Sequence, residues 1–151
     1  MTGLRFFTVY GPWGRPDMSP FIFTEAIISG KPINLFNNGN MKRDFTFIDD
    51  VIEGIIRIMN RIPGKKIDDS HPATIYNIGY GGPIDIMDFV HKLEDALDKK
   101  AIINYAPMQI GDVIATWADC SALERDFDFR PGTAPSVGIK IFVDWFKEYY
   151  N

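Results

Sequence analysis

Leu4-Arg5-Phe6-Phe7-Thr8-Val9-Tyr10 is rich in aromatic and β-branched side chains and runs straight into Gly11-Pro12. It reads as a buried strand entering a turn. Downstream, Ser19-Pro20 has the form of an N-cap followed by proline in the first helical turn. Phe23, Ala26 and Ile27 then repeat at i, i+3 and i+4 until Gly30 and Pro32 stop the pattern. A strand, a long turn and a helix in that order are the opening of an α/β arrangement.

The alternation continues outward. Short strands near residues 34–36 and 45–48 flank Asn37-Asn38-Gly39-Asn40, which predicts a hairpin-like or looped connection. Asp50 and Glu53 resemble a capping pair for a second helix with Val51, Ile52, Ile55, Ile56 and Met59 on one face. The cluster at residues 63–72, with Pro63-Gly64 and His71-Pro72, reads as a surface loop. Residues 75–78 form a strand, Asp85 caps a third helix with Ile86, Phe89, Val90, Leu93 and Leu97 inward, and residues 101–105 form another strand. Ser121-Ala122-Leu123-Glu124 fits a capping box. A last helix beginning at Thr133 would turn Val137, Ile141, Phe142, Trp145 and Tyr149 inward. The fold class is mixed α/β.

The composition agrees with one globular domain: 151 residues, 46% hydrophobic and 24% charged, with 12 Phe, 6 Tyr and 3 Trp to fill a core. No apolar run approaches the roughly 20 residues that a bilayer crossing needs, so no membrane partner is expected. The first residues show no basic stretch leading into an apolar segment, and one cysteine, Cys120, cannot form an internal disulfide. The expectation is a reducing, cytoplasmic setting. A net charge of -4 lacks the basic footprint of a nucleic-acid binder.

The chemistry is partly a list of exclusions. His71 lies in the polar loop and His91 between the apolar positions of the third helix, so they read as solvent-facing residues and no shared zinc site is expected. No Gly-x-Ser-x-Gly or P-loop stretch occurs. The segment Ile75-Tyr76-Asn77-Ile78-Gly79-Tyr80-Gly81-Gly82-Pro83-Ile84 has the context of a dinucleotide fingerprint but not its spacing. Ile84 stands where the third glycine belongs, and Pro83 lacks an N–H. It reads as a plain strand-to-helix turn.

Three places carry positive signals. Arg15, in the turn after the first strand, has a guanidinium able to grip a carboxylate or phosphate bidentately; pairing with Asp17 is the alternative. Lys42 and Arg43 enter the strand that starts at Phe45, and because adjacent strand residues face opposite ways only one of them points into a given cleft. Asp112, after Gly111, either accepts a hydrogen bond from a sugar hydroxyl or caps its turn. From the residues alone, this is an α/β module with a candidate anion-binding cleft.

These same segments carry a resemblance that covers essentially the whole chain. Residues 5–18 (RFFTVYGPWGRPDM), Arg43-Asp44-Phe45-Thr46-Phe47-Ile48-Asp49-Asp50-Val51, Tyr76-Asn77-Ile78-Gly79 and Gly111-Asp112-Val113 with Ala118-Asp119 resemble the C-terminal half of the UDP-glucuronate 4-epimerases. These are nucleotide-sugar epimerases of the extended short-chain dehydrogenase/reductase superfamily. The resemblance implies a Rossmann-type parent in which bound NAD oxidises C4 of the sugar and returns the hydride to the opposite face. It also implies that residues 4–10 and 75–78 are strands of the parent's large sheet.

The family's glycine-rich NAD loop and its Tyr-x-x-x-Lys belong to an N-terminal half. None of the six tyrosines here has Lys four residues on. The expectation is therefore an excised or truncated C-terminal, substrate-binding portion spanning 1–151, inactive alone and prone to self-associate, from a homodimeric parent.

Carried over residue by residue, the resemblance puts Thr8 and Arg15 around the glucuronate carboxylate and Phe7 at the edge of the nicotinamide pocket. Asn34 and Phe36 would hold uracil, Arg43 the diphosphate and Asp112 the ribose of a UDP-sugar. Gln109 stands where many superfamily members have a second phosphate-binding arginine, which leaves more of the charge recognition to Arg43. The alternatives are a free-standing binding or assembly module, or a portion of a related nucleotide-sugar dehydratase or decarboxylase.

Overall fold

The computed structural model describes residues 1–60 and 74–150 of the 151. The loop expected at residues 63–72, with His71, lies outside the described residues. The strands are β1 (Thr2–Phe6), β2 (Thr8–Tyr10), β3 (Pro32–Leu35), β4 (Lys42–Arg43), β5 (Phe45–Phe47), β6 (Thr74–Ile78), β7 (Ile84–Asp85) and β8 (Ile102–Tyr105). The helices are α1 (Ser19–Ser29), α2 (Ile48–Met59), α3 (Ile86–Leu97), α4 (Ser121–Phe127) and α5 (Pro135–Tyr150), with a 3-10 turn over Phe36–Gly39. The mixed α/β class is borne out. Among the described residues no helix is long and apolar enough to cross a membrane.

The strand expected at residues 4–10 is two strands with different partners. β1 pairs in parallel with β6, and β2 pairs in parallel with β5. Consecutive N–H groups of an extended chain point to opposite sides, and here the switch uses that fact. Phe7 N donates to Ile78 O at 3.3 Å on one side, and Thr8 N to Asp44 O at 3.1 Å on the other. The segments flanking Asn37-Asn38 do not form a hairpin. β3 pairs with β8 and β5 with β2, both in parallel, so the connection is the looped one.

The larger core lies between the β2–β5 pair and helices α1, α3 and α5. Tyr10 meets Phe45, Phe47 and Phe89 edge-on with ring centroids 6.4, 5.7 and 5.6 Å apart, a geometry that adds to the area these rings bury. Burial raises the Tyr10 phenol pKa well above its ordinary value, and its hydroxyl donates to Pro135 O at 3.5 Å. The smaller core joins Val51 and Ile58 of α2 to Tyr76 and Ile78 of β6 and Leu123 and Phe127 of α4.

Helix facing corrects two expectations. On α5 the buried stripe is Gly138, Ile139, Phe142, Val143 and Phe146, while Val137, Ile141 and Tyr149 are exposed. A Cβ on Gly138 would collide with the Tyr10 hydroxyl, so the glycine marks the line of closest approach and sets the buried stripe beside it. On α2, Val51, Gly54 and Ile58 face inward, whereas Ile52, Ile56 and Met59 are 46%, 47% and 78% exposed. The apolar face expected for α3 is buried as read.

The capping expectations fail, because the helices start at other residues or the side chains have other partners. Met18, not Ser19, is the N-cap of α1. The Asp50 carboxylate accepts from Gly132 N, Thr133 N and Thr133 Oγ1 instead of capping α2, and Glu53 pairs with Arg57. Asp85 is the N-cap residue of α3 but makes no side-chain cap bond; it pairs with Lys42 at 3.3 Å. At α4, Cys120 is the N-cap, and Ser121 N donates to Asp119 Oδ1 at 3.0 Å.

Candidate functional site

Two neighbouring cavities open at the start of α1, where Met18 lines one and Ser19 the other. The first, about 350 Å³, is walled by Phe7 and Tyr10 and by the turn after β2, where Pro12, Trp13, Gly14 and Arg15 contribute. The second, about 190 Å³, gathers Asn34, Phe36, Met41, Arg43, Ile86 and Asp112 from β3, the 3-10 turn, β4, α3 and the 106–118 segment.

In the smaller cavity the expected residues do meet. Arg43 Nη2 lies 2.7 Å from Asp112 Oδ1, with both side chains largely buried, and Nη1 donates to Lys42 O at 2.9 Å. Nε makes no hydrogen bond among the described residues, which leaves a donor for an anion. Lys42 points away to Asp85, as strand alternation requires. Of the two parts left open for Asp112, the turn-capping one is seen: Oδ1, besides meeting Arg43, accepts from Val113 N at 2.8 Å and so shapes its turn. Asn34 Oδ1 accepts from Asn104 Nδ2 at 3.4 Å across the β3–β8 pair. Gln109 is exposed and lines neither cavity; only its carbonyl takes part, accepting from Asp112 N.

The larger cavity brings Phe7 and Arg15 together but not Thr8, which lies in β2 opposite Phe45 and lines neither cavity. Arg15 is bound bidentately by Asp17, Nε to Oδ1 at 3.1 Å and Nη2 to Oδ2 at 2.5 Å. That hydrogen bonding holds the Asp17 carboxyl below the usual carboxylate range. Arg15 is thus paired with Asp17, the alternative reading, and also lines the cavity.

Two residues escaped the sequence reading. Trp13 adopts a left-handed φ of 61°, costly for a bulky side chain, and is held there by contacts with Trp145 and Tyr149 of α5 at 5.5 and 4.9 Å. Nothing in Gly-Pro-Trp-Gly signals that conformation. Asp44 is fully buried directly behind Arg43, and an acid between a cation and an apolar strand was the available signal. Cys120 is buried, its thiol donating to Gly79 O, and burial pushes its pKa up. His91 is exposed as read, and no metal-holding cluster occurs among the described residues.

A family model, "NAD dependent epimerase/dehydratase family", matches residues 1–79, which include β1, β2, α1, β5 and the turn to Gly79. The chain belongs to that family. As a member of the epimerase/dehydratase family, it is 46% identical over 99% of its length to Protein CapI of Staphylococcus aureus, covering 48% of that protein. It is 42% identical, again over 99%, to a probable UDP-glucuronate 4-epimerase of Rhizobium meliloti, covering 47%. The chain thus spans about half the length of these relatives. Its fold superposes with a TM-score of 0.84 on the Bacillus cereus UDP-glucuronic acid 4-epimerase in complex with UDP-glucuronic acid and NAD. That match is at 32% identity and covers 97% of this chain and 45% of the other.

Proposed function

We propose that this chain is the UDP-sugar-binding portion of an NAD-dependent UDP-glucuronate 4-epimerase, a cytoplasmic homodimer that interconverts UDP-glucuronate and UDP-galacturonate through a 4-keto sugar. The observation that carries the reading is the gathering of Asn34, Phe36, Arg43 and Asp112 around one cavity. Phe36 and the Asn34 backbone suit a flat pyrimidine, Asp112 a ribose hydroxyl, and Arg43 the diphosphate. Arg15 takes the glucuronate carboxylate at the neighbouring cavity, where a guanidinium matches a planar anion; Thr8, which lines neither cavity, is left out of this reading.

The fit to NAD is partial and has a location. The Gly79–Gly81 turn cannot cradle a pyrophosphate, because its N–H groups already bind the Asp44 carboxylate. The apolar wall at Phe7 and Pro12 suits the edge of a nicotinamide ring. Bound NAD supplies reversible oxidation at C4 of the sugar. This chain's part is to hold the UDP and the carboxylate so that C4 faces that ring, while the general base comes from a portion outside this sequence.

The test is UDP binding to the full-length protein that carries this chain. Arg43→Ala removes a charge-assisted contact worth about 1.5–3 kcal/mol and should weaken UDP binding about 10- to 150-fold by calorimetry. Equal affinity in variant and parent overturns the assignment.

A further inference from the structure

The glycine turn that fails as a dinucleotide fingerprint is nonetheless an anion site, and its anion is internal. Asp44 is fully buried. Its Oδ1 accepts from Tyr80 N at 2.8 Å and Thr46 Oγ1 at 3.1 Å, and its Oδ2 from Gly81 N at 2.9 Å and Ala118 N at 2.8 Å. A buried carboxylate is tolerated only when its lone pairs are met in this way. Gly79 is required for the close approach: a Cβ there would lie 2.5 Å from Ala118 Cβ and 2.9 Å from Asp44 Oδ2.

The donors come from three separate parts of the chain: β5, the β6–β7 turn and the segment that leads from Asp112 to Ala118. That last segment is also tied to β4, where Lys42 N donates to Ile114 O at 2.8 Å and Thr116 N to Lys42 O at 3.2 Å. The Asp44 carbonyl accepts from Thr8 N at 3.1 Å. One residue thus fixes the backbone that bears Arg43, the strap that bears its partner Asp112, and the start of β2.

The geometry points to Asp44 as the positioning residue for Arg43: its carboxylate, seated in the Gly79–Gly81 turn, holds Arg43 and Asp112 in register to receive the diphosphate of a nucleotide sugar. The inference rests on the reading of Arg43 given above. Asp44 touches no ligand in this role and acts through the neighbouring guanidinium.

The test is a double-mutant cycle on UDP affinity in the full-length protein. Asp44→Asn keeps the shape but sets an NH2 group against N–H donors, and it should weaken UDP binding about tenfold. In an Arg43→Ala background the same change should cost less than twofold, because the residue it positions is gone. Thr46→Val removes one donor to the carboxylate; it should reproduce a smaller loss with the same dependence on Arg43, and it serves if Asp44→Asn does not fold. Losses that are equal in both backgrounds, or a lowered melting temperature with UDP affinity intact in both variants, overturn the positioning role while leaving Arg43 as a ligand. Failure of Arg43→Ala alone to weaken UDP binding overturns the diphosphate reading itself.

Discussion

Arg15, paired with Asp17, is the residue on which the proposed carboxylate recognition rests. Its pair with Asp17 is largely solvent-exposed, and pairs of that kind contribute little to stability. A substrate carboxylate can therefore replace Asp17 with small loss, on a guanidinium already turned for bidentate contact. Arg15→Met in the full-length protein should lower kcat/KM for UDP-glucuronate by roughly two orders of magnitude and leave UDP affinity unchanged. Normal turnover, or a loss of UDP binding as large as that of Arg43→Ala, would count against the carboxylate role. The candidate residues Arg15, Arg43 and Asp112 were legible because their chemistry is carried by the residue type. Their grouping into two cavities was not, since Arg43 and Asp112 meet across 69 positions of sequence.

At the scale of elements, existence and order were legible, while facing and caps were not. α5 carries apolar residues on two adjacent stripes, so periodicity leaves its rotation open. Gly138 decides it. Alanine in a helix interior is favoured over glycine by about 1 kcal/mol, yet here the added methyl meets Tyr10 and, at 2.9 Å, Phe47, where overpacking costs about 1–3 kcal/mol. Gly138→Ala should lower the melting temperature, read by calorimetry or circular dichroism; an increase would mean that α5 does not press on the β2–β5 pair. The caps misread in the same way: Asp50 matches a capping residue locally, but its oxygens are taken by residues 132 and 133, which no short-range pattern reveals.

For the whole molecule, the two cores are unequally covered. Among the described residues β1 and β6 form a two-stranded parallel pair, an arrangement that is normally buried on both faces. Here Phe6 and Ile75 are about half exposed, and on α2 the stripe Ile52, Ile56 and Met59 is exposed as well. Such apolar surface, with strand edges unpaired among the described residues, favours association. Produced by itself, this chain should self-associate with rising concentration in sedimentation velocity experiments. A compact monomer throughout the accessible range would show that these faces are adequately covered within the chain.

The sequence by itself determined the α/β class, the order of its elements, the buried face of α3 and the residue types able to bind an anion. All of these follow from local periodicity and from the chemistry of single side chains. Tertiary structure alone decided that residues 2–10 serve two strand partners, which face of α2 and α5 turns inward, and that the glycine turn holds Asp44 instead of a cofactor phosphate. Each of those outcomes depends on groups far apart in sequence competing for the same hydrogen bonds and the same space, and such competition is resolved only when the chain packs.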